Sequence, residues 1–106
     1  MDSAMQNLYD TIQARKTEKT EGSYTCYLLE QGLDKILKKV GEEAAETIIA
    51  AKNGDGLLDE LADLTYHLLV LMAIQDIPLN ALTNELQRRA AKIGNKKKTY
   101  QSDHES

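Results

Sequence analysis

Tryptophan and phenylalanine are absent from this chain of 106 residues. Its core must therefore be built from Leu, Ile, Ala and Met, which is the chemistry of a helical bundle. Runs of strand period with β-branched enrichment are missing, and so is any internal repeat. The single cysteine, Cys26, excludes an internal disulfide and points to a reducing compartment. No N-terminal run is apolar enough for a signal peptide, and no run approaches the ~20 residues of a membrane span. The expectation is a cytoplasmic protein that makes no membrane contact. A net charge of -4 leaves no basic footprint for nucleic acid in general. A nucleotide substrate stays open, because a bound cation reverses the local sign. Signatures of nucleophilic or dinucleotide chemistry are lacking too: there is no nucleophile elbow, no Cys/His pair, no Walker loop and no Gly-rich dinucleotide fingerprint.

What is present reads as one all-α domain over residues 1–95, followed by a polar tail over 96–106. The first of four to five helices is predicted from Asp2 or Ser3, as N-cap, to about residue 16. Met5, Leu8, Tyr9 and Ile12 give it a narrow apolar face. Arg15 lies near that face at the helix end, as a solvated terminal cation or as a phosphate contact. Residues 17–22 form a polar loop, and Ser23 caps a short helix that stops at Gly32. Ser23 and Thr25 read as capping residues. Cys26 reads as a small buried hydrophobe with nothing local to stabilise a thiolate.

A third helix, from 33 to about 52, places Leu33, Ile36, Leu37, Val40, Ala44, Thr47, Ile48 and Ala51 on one face. Lys35, Lys39, Glu42, Glu43 and Glu46 fall on the opposite side. The fourth helix, from about 57 to 74, starts at Gly56 or Asp55. Leu57, Leu61, Leu64, Leu68, Leu71 and Met72 line one side of it, and Leu58, Ala62, Thr65 and Leu69 broaden that side around a polar seam of Glu60, Asp63 and His67. A helix apolar nearly all round needs more cover than one short chain offers. A homodimer supplies it, with helices three and four of each subunit meeting as a four-helix bundle. Pro78 opens the last helix, whose stripe of Leu79, Leu82, Leu86 and Ile93 runs to Gly94. Arg88, Arg89, Lys92 and Lys96-Lys97-Lys98 make its end basic, which complements the helix dipole.

Chemistry concentrates between Gly41 and Asp63. Glu43/Glu46 and Glu60/Asp63 are two acidic pairs of i, i+3 spacing, and each pair shares a helix face with Cβ atoms about 5–6 Å apart. The Asn53-Gly54-Asp55-Gly56 break lets the two helices fold back as a hairpin and gathers all four carboxylates. Such a cluster repels itself unless a cation enters it. Hard oxygen ligands of this kind suit Mg²⁺, with Mn²⁺ as a substitute. The plainer account is a solvated face on which Lys39 pairs with Glu43. His67 lies one turn beyond Asp63, as a metal ligand or as a side chain that holds a neighbouring carboxylate. Tyr66 points elsewhere, to core or dimer interface. Lys35 and Lys39, one and two turns before the acids, are placed to neutralise phosphate. Glu42 is placed to orient or deprotonate a water.

Glu42-Glu43-x-x-Glu46 followed by Glu60-x-x-Asp63 resembles the metal motif of the MazG-like, all-α nucleoside triphosphate pyrophosphohydrolases. Three further stretches narrow the likeness: Ser23-Tyr24-Thr25; Gly32-x-x-Lys35-Ile36-x-Lys38-Lys39-Val40-Gly41-Glu42-Glu43-Ala44; and Ala62-Asp63-Leu64-x-Tyr66-His67-Leu68. Together they resemble the phosphoribosyl-ATP pyrophosphatase family of histidine biosynthesis over roughly residues 5–95. The resemblance implies Mg-assisted attack of water between the α- and β-phosphates of phosphoribosyl-ATP, giving phosphoribosyl-AMP and pyrophosphate. It also implies Glu43, Glu46, Glu60 and Asp63 as metal ligands, and Lys35, Lys38, Lys39, Arg15, Ser23 and Thr25 as substrate contacts. The zinc cyclohydrolase to which this activity is fused in many organisms has no room in this length. A house-cleaning nucleoside triphosphate pyrophosphatase of the same superfamily is the first rival, against which the Ser23-Tyr24-Thr25 and Tyr66-His67 flanks argue. A non-catalytic helical dimerisation module is the second. A ferritin-like di-iron site lacks its Glu-x-x-His spacing, since His67 follows Asp63 by four.

Overall fold

A computed structural model of the chain describes residues 3–94. The expected polar tail and the basic Lys96-Lys97-Lys98 run lie outside the described residues. Ser3, not Asp2, opens the first helix: its hydroxyl accepts from the Gln6 N–H at 3.0 Å, and α1 spans Ala4–Ala14. Ser23 repeats the device for α2, Tyr24–Gln31, accepting from the Cys26 N–H at 3.1 Å. Each hydroxyl satisfies a main-chain donor that the first helical turn leaves without a partner. Gly32, at φ 94°, then turns the chain directly into α3, Leu33–Asn53. The last two helices are α4, Leu57–Ile74, and α5, Leu79–Gly94. All regular elements among the described residues are helices, as the absence of Phe and Trp and of strand periods leads one to expect.

The core forms where the start of α3 meets the end of α4. Ile36 and Val70 are fully buried there with Leu28 of α2, beside Ile12 and Tyr9 of α1 and Leu69 and Ala73 of α4. Leu79, in the first turn of α5, closes this cluster. Tyr9 adds a polar tie by donating its hydroxyl to the Ile77 carbonyl. The Lys16 ammonium donates to the Ala73 carbonyl and to Asp76 Oδ1, both at 2.8 Å. Beyond Leu79, the predicted stripe of α5 finds no cover among the described residues, with Leu82, Leu86 and Ile93 all exposed.

The expected inward faces of α3 and α4 are corrected by rotation. On α3 the shielded residues are Lys35, Ile36, Lys39, Val40, Glu43, Ala44, Thr47 and Ala50, whereas Leu33, Leu37 and Ile48 face outward. On α4, Tyr66, His67, Leu69, Val70 and Ala73 turn inward and Leu64, Thr65, Leu71 and Met72 are half-buried, whereas Leu57, Leu58, Leu61 and Leu68 remain exposed. The two helices thus pack along the seam that carries the acids. The physical reason is an excess of apolar surface: α4 is apolar on more of its circumference than one neighbouring helix covers, so its apolar character does not choose the inward side.

Truncation of the fully buried Ile36 to Ala should lower stability by about 2–5 kcal/mol, the usual cost of a large aliphatic removed from a packed core. Denaturant unfolding checks this, and a loss below about 1 kcal/mol would remove Ile36 from the core.

Candidate active site

The turn between α3 and α4 decides where the acids meet. Gly54 at φ 72° and Gly56 at φ 77° adopt left-handed backbone that residues with a Cβ rarely take. The Gly54 N–H closes α3 on the Ala50 carbonyl at 2.9 Å, and the chain returns along α3 as α4. Thr47 marks the register. Its hydroxyl donates to the Glu43 carbonyl at 2.8 Å and lies 3.3 Å from the Glu60 carbonyl on the facing helix.

This register brings carboxylate oxygens of Glu43, Glu60 and Asp63 within 4.8 Å of one another. Glu43 and Glu60 are half-buried and Asp63 is exposed. Glu60 Oε1 is buried without any hydrogen-bond partner among the described residues. Burial pushes the Glu60 carboxyl above its ordinary 4.5, and the charges of Glu46, Glu43, Asp63 and Asp59 push it further. A buried oxygen with no donor, on a carboxylate surrounded by other negative charges, is costly unless a cation joins it. The donor set is all hard oxygen, which fits Mg²⁺ or Mn²⁺ and not a thiophilic metal. Glu46 stands outside this close group of three. It is exposed and acts on Glu60 through space.

The cations predicted to meet substrate are distributed unevenly. The Lys39 ammonium lies 3.4 Å from Glu42 Oε1 and 3.9 Å from Glu43 Oε2. Burial works against that ammonium, but the Tyr24 phenol, Glu42 and Glu43 together outweigh it and hold its pKa above the ordinary 10.5. Glu42, the expected water-orienting base, is half exposed and paired with Lys39 at the rim of the acid group. Lys35 stands over the Tyr27 ring, 5.8 Å from its centroid, and Lys38 is exposed on α3. Arg15 lies 4.0 Å from Glu18, a long surface contact. Ser23 is engaged as the α2 cap, and Thr25 shares a hydrogen bond with the Tyr66 hydroxyl. None of Lys38, Arg15, Ser23 or Thr25 joins the three carboxylates.

His67 is buried, and both its ring nitrogens are occupied. Nδ1 lies 2.8 Å from the Asp63 carbonyl, which only accepts, so Nδ1 carries the proton. Nε2 is then the acceptor for the Tyr24 hydroxyl at 3.2 Å. The histidine therefore holds the main chain of Asp63 rather than a carboxylate, and it offers a metal no free nitrogen. Tyr66 packs edge-on to His67 at 5.0 Å, and Tyr24 does so at 5.8 Å. Tyr24 belongs to the Ser23-Tyr24-Thr25 stretch that carries the family resemblance, but its contact with His67 had no signal in the sequence, since no periodicity relates α2 to α4. The histidine's anchor was legible, because residue 67 sits one turn after Asp63.

One expectation is overturned at Cys26. The Thr20 N–H reaches its sulfur at 3.4 Å, and together with Ser23 this outweighs burial and holds the thiol below its ordinary 9.0. The thiolate does have local stabilisation, although the side chain remains buried.

The described residues define an all-α chain with a carboxylate-lined helical hairpin suited to a hard divalent cation. The family pattern for phosphoribosyl-ATP pyrophosphohydrolase matches residues 5–90. A protein named phosphoribosyl-ATP pyrophosphatase from Listeria innocua is 59% identical over 90 residues, covering 84% of this chain and 87% of its own. One of the same name from Clostridium botulinum is 53% identical over 98 residues, covering 91% and 89% respectively. The chain belongs to the phosphoribosyl-ATP pyrophosphohydrolase family.

The raised Glu60 carboxyl has a thermodynamic consequence. The folded state binds that proton more tightly than the unfolded state, so metal-free stability should fall as pH rises from about 4.5 through the raised value. Thermal melts across that window should show the slope without Mg²⁺, a flatter profile with Mg²⁺, and no such slope in metal-free Glu60→Gln. A metal-free profile that is identical in Glu60→Gln and the parent chain would contradict the assignment.

Proposed function

We propose that this chain hydrolyses phosphoribosyl-ATP to phosphoribosyl-AMP and pyrophosphate, the second step of histidine biosynthesis. One observation carries the reading beyond kinship: in the middle of the family's matched region, carboxylate oxygens of Glu43, Glu60 and Asp63 lie within 4.8 Å of one another, and Glu60 also has a buried oxygen without a partner among the described residues. Glu43, Glu60 and Asp63 would hold Mg²⁺, with Glu46, whose charge acts on Glu60 from outside this group of three, as the further ligand of the reading. The bound metal supplies charge neutralisation on the triphosphate and a water oriented for in-line attack. No helix among the described residues is long and apolar enough to cross a membrane. A cytoplasmic setting accords with that and with the free Cys26.

The side chains around the acids divide the remaining work. Lys39 is held at the edge of the acid group by Glu42 and Glu43, so it meets the phosphate chain as the metal does. Transfer of Lys39 to a phosphate oxygen releases Glu42, whose carboxylate then accepts the proton of the attacking water. Lys35, one turn earlier, binds further along the phosphates. Phosphoryl transfer needs little covalent chemistry from a protein, so positioning and charge are the main contributions these groups make.

The same reading includes a homodimer. Leu58 is 78% exposed and Ile48 69% exposed on the faces of α4 and α3 that turn away from the core. Leu58, Leu61, Ala62 and Thr65 continue into an apolar groove with Met5 and Leu8 of α1, about 460 Å³ in volume. A second copy meeting these faces, α3 and α4 against α3 and α4, builds the expected four-helix bundle and removes the exposed leucines from water. Light scattering should give twice the chain mass at micromolar concentration. Leu58→Glu should yield monomer or unfolded chain, since obligate dimers often lack a stable monomer. A monodisperse, folded wild-type monomer would remove the dimer.

Catalysis is tested by pyrophosphate release from phosphoribosyl-ATP against ATP and dUTP. Glu43→Gln, Glu60→Gln and Asp63→Asn should each abolish turnover with helicity intact by circular dichroism. Lys39→Met at saturating Mg²⁺ should lower kcat/KM roughly 10- to 150-fold, the worth of one charge-assisted contact of about 1.5–3 kcal/mol. Full activity in the carboxamide variants would end this reading.

A further inference from the structure

The chain is poor in aromatic residues, yet Tyr24, Tyr27, Tyr66 and His67 are gathered at one place between α2 and α4. Tyr66 and His67 are shielded by the fold. Tyr24 and Tyr27 are not, at 45% and 43% exposed. Their rings stack on each other at 6.0 Å between centroids and 26° between planes. Both rings line a cleft of about 680 Å³ between α2 and the loop before it. That volume lies within the range of small-molecule sites, roughly 300–1,000 Å³. The rest of the lining includes Lys19, Thr20, Glu21, Ser23 and Glu30, so the cleft pairs aromatic rings with a polar and charged rim.

Two contacts join this cleft to the proposed phosphate site. Tyr27 lies beneath the Lys35 ammonium, 5.8 Å from ring centroid to nitrogen. Tyr24 donates to His67, which holds the Asp63 main chain. A ligand with an aromatic ring at one end and phosphates at the other would span from the tyrosines to the lysines and acids. Tyr27 has no hydrogen bond that explains a tyrosine at its position on the grounds of folding among those described. Aromatic surface left in water at the mouth of a polar cleft is the kind of surface on which nucleobases stack.

We propose that the Tyr24–Tyr27 pair is the base-binding platform of this enzyme, receiving the purine of the substrate in the cleft before α2 while its phosphates reach Lys35, Lys39 and the carboxylates. This rests on the function proposed above, and it adds the part of the site that recognises the base. Stacking tolerates a ring that carries a substituent, because it uses the face of the purine and leaves its edges to the polar rim.

Tyr27 is the residue to vary, since Tyr24 also supports His67. Calorimetric titration of the native chain, in the presence of Mg²⁺, uses AMP as the probe with a purine and pyrophosphate as the probe without one. Tyr27→Leu should weaken AMP about 10-fold, within the range for loss of one base–aromatic stack, and leave pyrophosphate affinity unchanged. Tyr27→Phe should bind AMP as the parent chain does. Circular dichroism and the parent pyrophosphate affinity report that the Leu variant is folded. Unchanged AMP binding in Tyr27→Leu, an equal loss of both probes, or no AMP binding by the parent chain would each overturn the platform. Pyrophosphate release from phosphoribosyl-ATP by the parent chain is read separately. An inactive parent that still shows the AMP pattern removes the proposed reaction and leaves the purine platform standing.

Discussion

Mutual repulsion among three carboxylates at the crossing of α3 and α4 is the constraint the rest of the molecule accommodates. Glu43, Glu60 and Asp63 are brought together by helices that are themselves held elsewhere. At the far end of the hairpin, Ile36 and Val70 are sealed among side chains from α1, α2 and α5. At the near end, two left-handed glycines bring the chain back on itself. Among the described residues, Lys39 is the cation held against the group, by Glu42 and Glu43, and it neutralises its rim rather than its centre. The fold therefore spends stability from its apolar end to keep an acidic site preorganised, a familiar trade between activity and stability.

Packing α3 on α4 along a polar seam leaves the apolar sides of both helices turned outward. In a soluble helix the usual arrangement is the reverse, with the apolar stripe inward and the charges in water. Here the inversion follows from the function proposed for the seam, because ligands to one cation must face each other across a hairpin. The exposed leucines of α4 then call for a second surface. The proposed dimer and the half-buried acidic site would, on this view, be two consequences of one choice of which face α4 presents to α3.

Much of the architecture was legible in the sequence because it rests on local rules. Ser3 and Ser23 mark helix starts by their side-chain chemistry, Gly32, Gly54 and Gly56 mark turns by their backbone freedom, and Pro78 marks the entry to α5. The meeting of Glu43 with Glu60 and Asp63 was legible too, since two short acidic spacings flank one glycine turn. Helix rotation was not. A helical wheel assumes that the most apolar side faces in, and that assumption fails for α4, which is apolar on several sides. Glu46 shows the same limit at the site: its spacing from Glu43 places it on a shared face, but not at the same depth. The tyrosine cluster was hidden for a different reason. Tyr24 and His67 are 43 residues apart, and no periodicity connects α2 with α4.

The contact between those two residues gives the site its rigidity. In an α-helix the carbonyl of Asp63 already accepts from the main chain one turn later. His67 Nδ1–H adds a second donor to that same oxygen, which fixes the imidazole plane and its tautomer. The fixed ring then presents Nε2 toward α2, where only a donor fits, and the Tyr24 hydroxyl fills that role. Tyr66 packs edge-on against the same imidazole and ties back to Thr25, so α2 is joined to α4 by two polar contacts between neighbouring residues on each helix. Movement of α2 would disturb the backbone from which the Asp63 carboxylate projects. Ligand groups meeting α2 and a cation meeting Asp63 would therefore act on opposite ends of one braced element rather than on separate loops. Groups held this way lose little freedom when substrate arrives, which is what positioning catalysis requires.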